Sequence, residues 1–553
     1  MDLYVEETGT IKGYKKEEFN IDHINNGKLI LLLYKVTGKE KYKKAADLLR
    51  SQLLEHPRTK EGGFWHKNIY PYQMWLDGLY MGQPFYAEYA QLFHEDSAFN
   101  DITRQFVLME KNARDSKTGL LYHGWDESKQ QKWANPITGQ SPLFWGRALG
   151  WYGMALVDAL EFYPENHPGR QTLIAILNRL VVAVTKVQDP VSGVWYDIVD
   201  QKDRAKNYKE ASASCMLTYT LAKALRNGYI DKKYKSAILR AYRGIIREFI
   251  RSENNQTNLH GTVAVSGLGG NPYRDGSFDY YMSEPVIVND AKGVGAFLLC
   301  AAEVEKLEQP QVGAGKLILL DRYFNSEKRK DALGVNQFWH YTWNERSHPG
   351  FALLGEIFEG KGASIAHLDE APNAANLKKA SVYIIVDPDH LKDNPNPNFM
   401  TDTYVKQIED WVKAGGVLLL MANDSANCDL DHFNLLAGKF GFRFTNKSVN
   451  MVKNDEFEMG ATWALPNAGL FKNKKLYLKE ASVIELSSKA KAIAGSDGNM
   501  LIALSKFGKG TVVAVGDPWI YNEYIDGRKA LKGFNNFDAA VELVDFLLMS
   551  NGK

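Results

Sequence analysis

The stretch MWLDGLYMGQPFYAEYAQLF, residues 74–93, decides the fold of the first half of the chain. Its apolar residues recur at helical spacing, and one segment after another shows the same period from residue 21 to about residue 307. No convincing pair of strands interrupts these segments. The pattern predicts an all-helical region.

Three loops between the helical segments repeat one theme, a glycine followed by aromatic residues and a polar group. They are KEGGFWHK at 60–67, KTGLLYHGWD at 117–126 and VSGVWYDIVD at 191–200. Such a repeat predicts helical hairpins whose aromatic loops gather at one end of a ring. We therefore expect a closed helical toroid with a funnel-shaped site.

The pattern of apolar residues changes after residue 308. Short apolar runs that end in Asp or Asn, such as SVYIIVDPD and GGVLLLMAND, alternate with helical stretches such as TYVKQIEDWVKAG. This pattern predicts an α/β domain with a mainly parallel sheet at 315–553, after a helical domain at 1–308. The boundary falls near QPQVGAGK, where Pro and Gly cluster.

Composition narrows the classes of function. The chain has 553 residues, too many for one ordinary core, and its 67 Lys and Arg balance 66 Asp and Glu. The balance gives no net field to attract nucleic acid or an anionic membrane. Aromatics make up 12% of the chain, which suits either a cleft that stacks on sugar rings or a large aromatic core.

Signals for membranes, secretion and metals are weak. The sequence has no run of about 18 apolar residues, and its start lacks the charged-then-apolar pattern of a signal peptide. Cys215, Cys300 and Cys428 are widely spaced, without a CxxC or Cys/His cluster. We expect neither a disulfide framework nor a structural metal.

Asp77 is the leading candidate for proton transfer. It lies at or near a helix start, next to Trp75, Leu76 and Leu79, so partial desolvation is expected to raise its pKa toward proton-donor values. The alternative is an N-cap aspartate. Asp22, which precedes a helical run, would supply a second carboxylate, or would equally serve as a cap.

Cationic and aromatic residues on the repeated loops form a candidate binding set. Arg147 and Trp151 share one helix face, and a guanidinium beside an indole suits a sugar ring that bears a carboxylate. Taken singly, each is more simply a structural histidine or a surface cation. The set comprises Trp65, His66, Lys67, His123, Trp145, Arg147 and Trp151.

The strings GGFWHK, YPYQMWLDGLYMGQPF, YHGWDE, WANPITGQSP and FWGRALGWY together resemble the unsaturated rhamnogalacturonyl hydrolases, family 105 of the glycoside hydrolases. The resemblance extends through WYDIVD, SASCM and DYYMSEPVIVNDAKGVGAF and covers roughly residues 8 to 305. It implies an (α/α)6 barrel that hydrates the C4=C5 double bond of a terminal unsaturated uronic acid. It places the general acid and base on Asp77 and a second active-site aspartate on Asp22.

The same resemblance implies that His66, Lys67, His123, Arg147 and Trp151 line the unsaturated uronide subsite. The implied partner is an oligosaccharide left by a polysaccharide lyase, such as a rhamnogalacturonan fragment, with galacturonyl or glucuronyl as the terminal sugar. No metal or organic cofactor is implied. Oligomeric state stays open.

One departure concerns the start of the chain. Members of the family have about three further helices before NIDHINNG, so the resemblance implies a barrel that is incomplete at its N-terminus. The absent segment would also hold any secretion signal. The full-length protein is accordingly expected in the periplasm or cytoplasm of a bacterium.

The second domain resembles, less specifically, glutamine-amidotransferase-like or flavodoxin-like modules. Cys428 lies in NDSANCDLDHF rather than on a tight strand-to-helix turn, which predicts a noncatalytic domain. Its strand-end residues could bind a sugar, but solvated loop ends are the favoured interpretation. These residues include Asp321, Asp387, Asn423 and Asp517.

The leading hypothesis is an unsaturated uronyl hydrolase. Two alternatives remain: a polysaccharide lyase of the same toroid fold, which would need a Tyr/His or Lys base along an open cleft, and a catalytically inactive carbohydrate-binding protein.

Overall fold

The computed structural model describes residues 2–253, 255–331, 333–466, 468–529 and 532–550. The chain divides into two compact units, Met1–Glu308 and Gln309–Lys553. The outer ends of the two predicted domains, residues 1 and 553, lie outside the described residues.

The first unit is helical. Its helices are α1 (Gly27–Thr37), α2 (Glu40–Glu55), α3 (Leu76–Leu92), α4 (Ala98–Ala113), α5 (Gly146–Leu160), α6 (Pro168–Lys186), α7 (Ala211–Arg226), α8 (Lys235–Phe249), α9 (Phe278–Ser283) and α10 (Ala291–Glu308). Its short strands are β1 (Gln73–Trp75), β2 (Gly124–Asp126), β3 (Ile250–Glu253), β4 (Gln256–Leu259), β5 (Thr262–Val263) and β6 (Val286–Ile287). Single turns of 3-10 helix occur at Lys16–Glu18 and Lys232–Tyr234, and a longer one at Ile21–Asn26.

The helices form an inner and an outer layer. Helices α3, α5 and α7 are buried on nearly all sides, whereas α4 and α8 bury one face. Along the inner layer α1 packs on α3, α3 on α5, α5 on α7 and α7 on α10. The alternation of inner and outer helices is the predicted arrangement of helical hairpins.

Close packing of α5 on α7 explains one glycine in FWGRALGWY. A Cβ at Gly150 would lie 2.7 Å from Cβ of Met216, closer than side-chain atoms approach. The missing side chain lets the two inner helices come together.

The aromatic loops meet at one end of the helices, as predicted. Strand β1 of the first loop pairs with β2 of the second, with Trp75 opposite Gly124. Trp145 forms a bridge with Ile198 of the third loop. This end of the unit carries the candidate residues.

The second unit contains sheet and helix. Its strands are β7 (Leu317–Asp321), β8 (Lys328–Lys330), β9 (Asn336–Phe338), β10 (Ser364–Leu368), β11 (Val382–Val386), β12 (Val417–Met421), β13 (Phe442–Val449), β14 (Ala461–Ala464), β15 (Lys475–Tyr477), β16 (Ala481–Leu486), β17 (Ala490–Ser496), β18 (Asn499–Phe507) and β19 (Gly510–Val515). Its helices are α11 (Ala352–Gly360), α12 (Ala374–Leu377), α13 (Asp402–Lys413), α14 (Leu430–Ala437), α15 (Asn522–Ile525) and α16 (Asn536–Met549), with 3-10 turns at Gly438–Phe440 and Phe457–Gly460.

The main sheet is only half parallel. Its order is β10-β7-β11-β12-β19-β18-β17-β14-β15, with parallel pairing from β10 to β19 and antiparallel pairing from β19 to β15. The predicted mainly parallel sheet is therefore correct for five of nine strands. The direction reverses at the tight hairpin between β18 and β19, where Phe507 pairs with Gly510.

Side-chain alternation along the parallel strands builds two cores. Ile384 and Leu419 point to the face covered by α11 and α16, and Tyr383 and Leu418 point to the face covered by α13 and α14. Because both faces are covered, these strands are apolar almost throughout.

The strand-end carboxyls are buried, so their interpretation as solvated loop ends is wrong. Asp321, Asp387 and Asp517 are 4%, 3% and 1% exposed. Asp321 accepts from the backbone N–H of Phe324 at 2.8 Å and from the Tyr383 hydroxyl at 2.6 Å. Tyr383 lies 62 residues along the chain from Asp321, so this partner is invisible in the local sequence.

Cys428 is buried as well, and burial raises the pKa of its thiol well above the ordinary value. Such a thiol is a poor nucleophile. Among the described residues, none of the helices has the length and apolar character needed to cross a bilayer.

Candidate active site

Asp77 lies in the first turn of α3, directly after the β1–β2 ladder. The N-cap position belongs to Trp75, so Asp77 is not the cap that the alternative interpretation supposed. Its side chain is 14% exposed, and Oδ2 lies 3.1 Å from Nε2 of the fully buried His123. The two atoms are within hydrogen-bonding distance but are not aligned for a hydrogen bond.

The pKa of Asp77 lies below its ordinary value. Burial of the carboxyl raises the pKa, but the adjacent imidazoles of His123 and His66 outweigh burial. The expected rise in the Asp77 pKa is therefore wrong. The expectation considered only the apolar neighbours in sequence, whereas both histidines come from other loops.

Tyr281 holds His123 from the far side. The tyrosine hydroxyl lies 2.7 Å from Nδ1 of His123, and burial raises the pKa of Tyr281 well above its ordinary value. Tyr281 therefore keeps its proton. A Tyr281 hydroxyl that donates to Nδ1 leaves the Nε2 hydrogen of His123 facing Asp77.

Asp22 is held by a lysine and lies near a histidine. It lies in the 3-10 helix Ile21–Asn26, and its backbone N–H donates to the Asn20 side chain at 3.0 Å. Its Oδ2 lies 2.7 Å from the Lys67 ammonium, and its Oδ1 lies 3.6 Å from Nε2 of His66. Through His66, the structure brings the two predicted carboxylates into one network.

His66 is part of a stack of rings. Its imidazole lies 4.2 Å from the Trp75 ring at 15°, and Tyr70 stacks on Trp75 at 5.1 Å. Burial lowers the pKa of His66 to about 4, so the ring is neutral at neutral pH. The ring also lies close to Gly78, where a Cβ would be 3.1 Å from Nδ1 of His66.

Arg147 lies beneath the predicted subsite rather than open to it. It is 1% exposed, and it donates to the Ser212 hydroxyl at 2.7 Å and to the Val263 carbonyl. Glu210 lies 3.5 Å from the guanidinium. A buried pair of this kind positions the loops, and its donors already have protein partners.

Trp145 is buried beside Arg147. The indole N–H donates to Asp197 Oδ1 at 2.9 Å, and the ring contacts His123 at 4.8 Å. Burial raises the pKa of Asp197 to about 8, and its Oδ2 has no hydrogen-bond partner among the described residues. A carboxyl in this state is protonated at neutral pH.

Trp151 and Trp65 keep part of their surface. Trp151 stacks on Tyr80 at 4.6 Å and 25°, and the Lys28 ammonium lies 3.6 Å from the centre of the Tyr80 ring. Trp65 lies 4.8 Å from Tyr72. These half-buried faces are suited to contact a sugar ring.

Sequence reasoning missed the roles of Tyr281, Asp197 and Glu210. Tyr281 lies in DYYMSEP and Asp197 in WYDIVD, two strings that carried the resemblance. Their signal was a single polar group inside an aromatic string. Among the described residues, no group of three or more His, Cys, Asp or Glu side chains could hold a metal ion.

The first unit is thus a protein of layered helical hairpins with a carboxylate and imidazoles gathered at the loop end, which form a candidate active site. The sequence model of Glycosyl Hydrolase Family 88 matches residues 1–308, more than half of the chain. The chain belongs to that family. It is a glycoside hydrolase, as predicted, and its substrate is an oligosaccharide.

Two curated relatives are similar to part of this chain. Protein Atu3128 of Agrobacterium fabrum is 40% identical over 230 residues, which are 40% of this chain and 97% of that protein. The unsaturated rhamnogalacturonyl hydrolase YesR of Bacillus subtilis is 31% identical over 235 residues, which are 41% of this chain and 64% of that protein.

A solved structure extends the likeness to the fold. A glycoside hydrolase from family 105 of C. acetobutylicum ATCC 824 is 55% identical and superimposes with a TM-score of 0.55. The match covers 55% of this chain and 85% of that one. The barrel expected of the family therefore corresponds to the helical unit.

Proposed function

We propose that the chain removes a terminal 4,5-unsaturated uronic acid from lyase-generated oligosaccharides by hydrating the C4=C5 double bond. Unsaturated rhamnogalacturonan fragments are the proposed substrates, with galacturonyl or glucuronyl as the terminal sugar. The observation that carries the proposal is the unequal state of the two carboxylates, Asp77 and Asp22.

Asp22 is paired with an ammonium, whereas Asp77 faces imidazoles. The Lys67 ammonium lies 2.7 Å from Asp22, and Nε2 of His123 lies 3.1 Å from Asp77. The usual glycosidase mechanism needs two working carboxyl groups on either side of the bond that breaks. Hydration of a vinyl ether needs one group that donates a proton and later accepts one, and Asp77 meets that requirement.

The surroundings fit an anionic, flattened ring. Lys67 supplies a positive charge for the uronate carboxylate, and the exposed faces of Trp65 and Trp151 suit stacking on the half-planar unsaturated ring. Arg147 acts from beneath, since its donors are taken by Ser212 and Val263. It fixes the loops that carry the subsite.

Asp77 performs both proton transfers. Its carboxyl proton adds to C4, and positive charge develops at C5 and the ring oxygen. Water then adds to C5 and gives its second proton to the Asp77 carboxylate. The hemiketal opens by cleavage of C5–O5 to a ketone, and the resulting hemiacetal at C1 collapses to an aldehyde and releases the neighbouring sugar as an alcohol.

Substrate binding supplies the protonated form of Asp77. The free carboxyl has a lowered pKa because of His123 and His66. A bound uronate brings a like charge and excludes water, and both effects raise the pKa of a nearby carboxyl. His123 keeps its hydrogen toward Asp77, so it orients the carboxylate that later activates water.

The test is the ultraviolet absorbance of the conjugated double bond in a lyase digest of rhamnogalacturonan. The hydrolase is expected to decrease the absorbance, because hydration removes the conjugation. A lyase acting on the intact polysaccharide would increase absorbance, and a protein that only binds would leave both unchanged. The direction of the absorbance change therefore separates the three hypotheses.

Asp77→Asn and Asp96→Asn form a matched pair for this assay. Asp96 is exposed and lies outside the site, so Asp96→Asn should keep the full rate. We expect Asp77→Asn to bind the digest without changing its absorbance. Turnover by Asp77→Asn at the rate of the Asp96 variant contradicts the assignment.

A further inference from the structure

A polar cavity of about 200 Å³ lies in the second unit, at the carboxyl edge of the parallel strands. Asn423 follows β12 and Asp517 follows β19, and both line the cavity. Ligands of open α/β sheets bind at this edge, where loops from successive strands diverge. The rest of the lining comes from His340, His348, Pro349, Lys479, Glu480, Tyr521, Glu523 and Tyr524.

Asp517 is the central polar group of the cavity. It is 1% exposed, and its Oδ2 accepts from the backbone N–H of Lys479 at 2.7 Å. Its Oδ1 accepts no hydrogen bond from the described residues and is not sealed from solvent, so it is available to a ligand in the cavity.

The wall behind this carboxyl is held rigidly. The Asp387 carboxyl accepts from the Tyr341 hydroxyl at 2.5 Å and from the backbone N–H of Asn423 at 2.6 Å. The Tyr341 hydroxyl lies 3.1 Å from that of Tyr521, and the two rings stack at 5.6 Å. Asn423 and Tyr521 are therefore preset around the cavity.

The charges favour a neutral ligand. Glu480 lies 3.2 Å from the Lys479 ammonium, and Glu523 contacts His348. Glu327 likewise lies 3.3 Å from His340, so the cationic side chains of the described lining already have acidic partners, which disfavours phosphate or carboxylate. Burial also raises the pKa of Asp517 well above its ordinary value, and a neutral carboxyl attracts an ammonium only weakly.

We propose that this cavity binds a single neutral monosaccharide ring, with Asp517 and Asn423 hydrogen-bonded to adjacent hydroxyls and a tyrosine face against the ring. Hydroxyls donate and accept, as do a protonated carboxyl and an amide. The cavity is smaller than the roughly 300–1,000 Å³ of pockets for drug-sized ligands and is on the scale of one sugar ring. The second unit thereby becomes a glycan-binding module independent of the hydrolase site.

The experiment is a titration of the whole chain with D-galactose, L-rhamnose, D-galacturonate and D-glucosamine, followed by saturation-transfer NMR and calorimetry. A neutral sugar is expected to bind, with the anionic and the cationic sugar each about tenfold weaker, which is about 1.4 kcal/mol. Asp517→Leu and Asn423→Ala should each weaken the neutral sugar by about tenfold or more. Asp77→Asn, altered in the other unit, should bind it unchanged.

Circular dichroism and thermal unfolding check that each variant folds. If Asp517→Leu does not fold, Asn423→Ala carries the test. Three results overturn the proposal: no neutral sugar binds, the lining variants bind as tightly as the parent, or D-glucosamine binds best. The last would assign a cationic ligand to the cavity.

Discussion

Two carboxyl groups, one in each unit, show that neighbouring groups can outweigh burial in setting the pKa. Asp77 faces two imidazoles, and its pKa lies below the ordinary value. Asp517 faces one backbone N–H, and burial raises its pKa well above that value. Desolvation acts in the same direction on both, so the neighbours decide which carboxyl is ionised.

Turnover gives the largest expected difference between the two groups. Asp77→Asn removes the proton donor and should lower kcat by about 10³-fold, within the range for general acid–base catalysis. Asp517→Asn should leave kcat unchanged. Steady-state rates on unsaturated oligosaccharides measure both, and equal losses would mean that Asp77 has no special role.

Tyr281→Phe tests whether the histidine partner of Asp77 is itself positioned. Loss of one hydrogen bond to His123 Nδ1 frees the ring to exchange tautomers, and kcat should fall about tenfold, which is about 1.4 kcal/mol. KM should change little. Tyr280→Phe, altered one residue earlier, is the matched control. If Tyr281 had only a structural role, Tyr281→Phe would lower the stability of the protein and leave the pH profile of kcat unchanged.

The pH dependence of the rates should separate free and bound states of Asp77. Because a bound uronate raises the Asp77 pKa, the fall in kcat at high pH should lie at higher pH than the fall in kcat/KM. Full pH profiles of both constants measure the shift. Coincident profiles would mean that the substrate does not perturb Asp77.

Stability should respond to pH with opposite signs at the two groups, although the effect is the smallest. A lowered folded-state pKa stabilises the parent above the unfolded pKa, and this contribution is lost as pH falls through the folded pKa. A raised folded-state pKa, as at Asp517, costs stability as pH rises from the unfolded pKa to the folded pKa. The Tm of the parent relative to Asp77→Asn should therefore rise with pH, and relative to Asp517→Asn it should fall.

Local sequence predicted the helical character of the first unit and the position of Asp77 at the start of α3, because helical period and helix starts are local properties. It did not predict the pKa direction, since His66 and His123 reach Asp77 from separate loops. The expectation that Arg147 faces the ligand also rested on local sequence alone. Its partners Glu210 and Val263 are distant in sequence and become neighbours only in the fold.

The sheet followed the same rule. Apolar runs predicted β7, β11, β12 and β19, but the antiparallel strands β17, β14 and β15 contain many small and polar residues and gave little signal. Burial of Asp517 depends on neighbours such as Lys479, which contacts it only through the backbone. No pattern around Asp517 reveals that contact.

Gly78 carries a consequence for mutational tolerance. It has no functional group, yet a methyl there would come within 3.1 Å of Nδ1 of His66 and 3.4 Å of the Ile21 side chain. The imidazole would have to move by a few tenths of an ångström, and small misplacements of this kind are costly at sites of chemistry. In a saturation scan scored by activity, Gly78 should be nearly as intolerant of substitution as Asp77 beside it. In a scan scored by protein abundance, both positions should be more tolerant than the residues of the hydrophobic core.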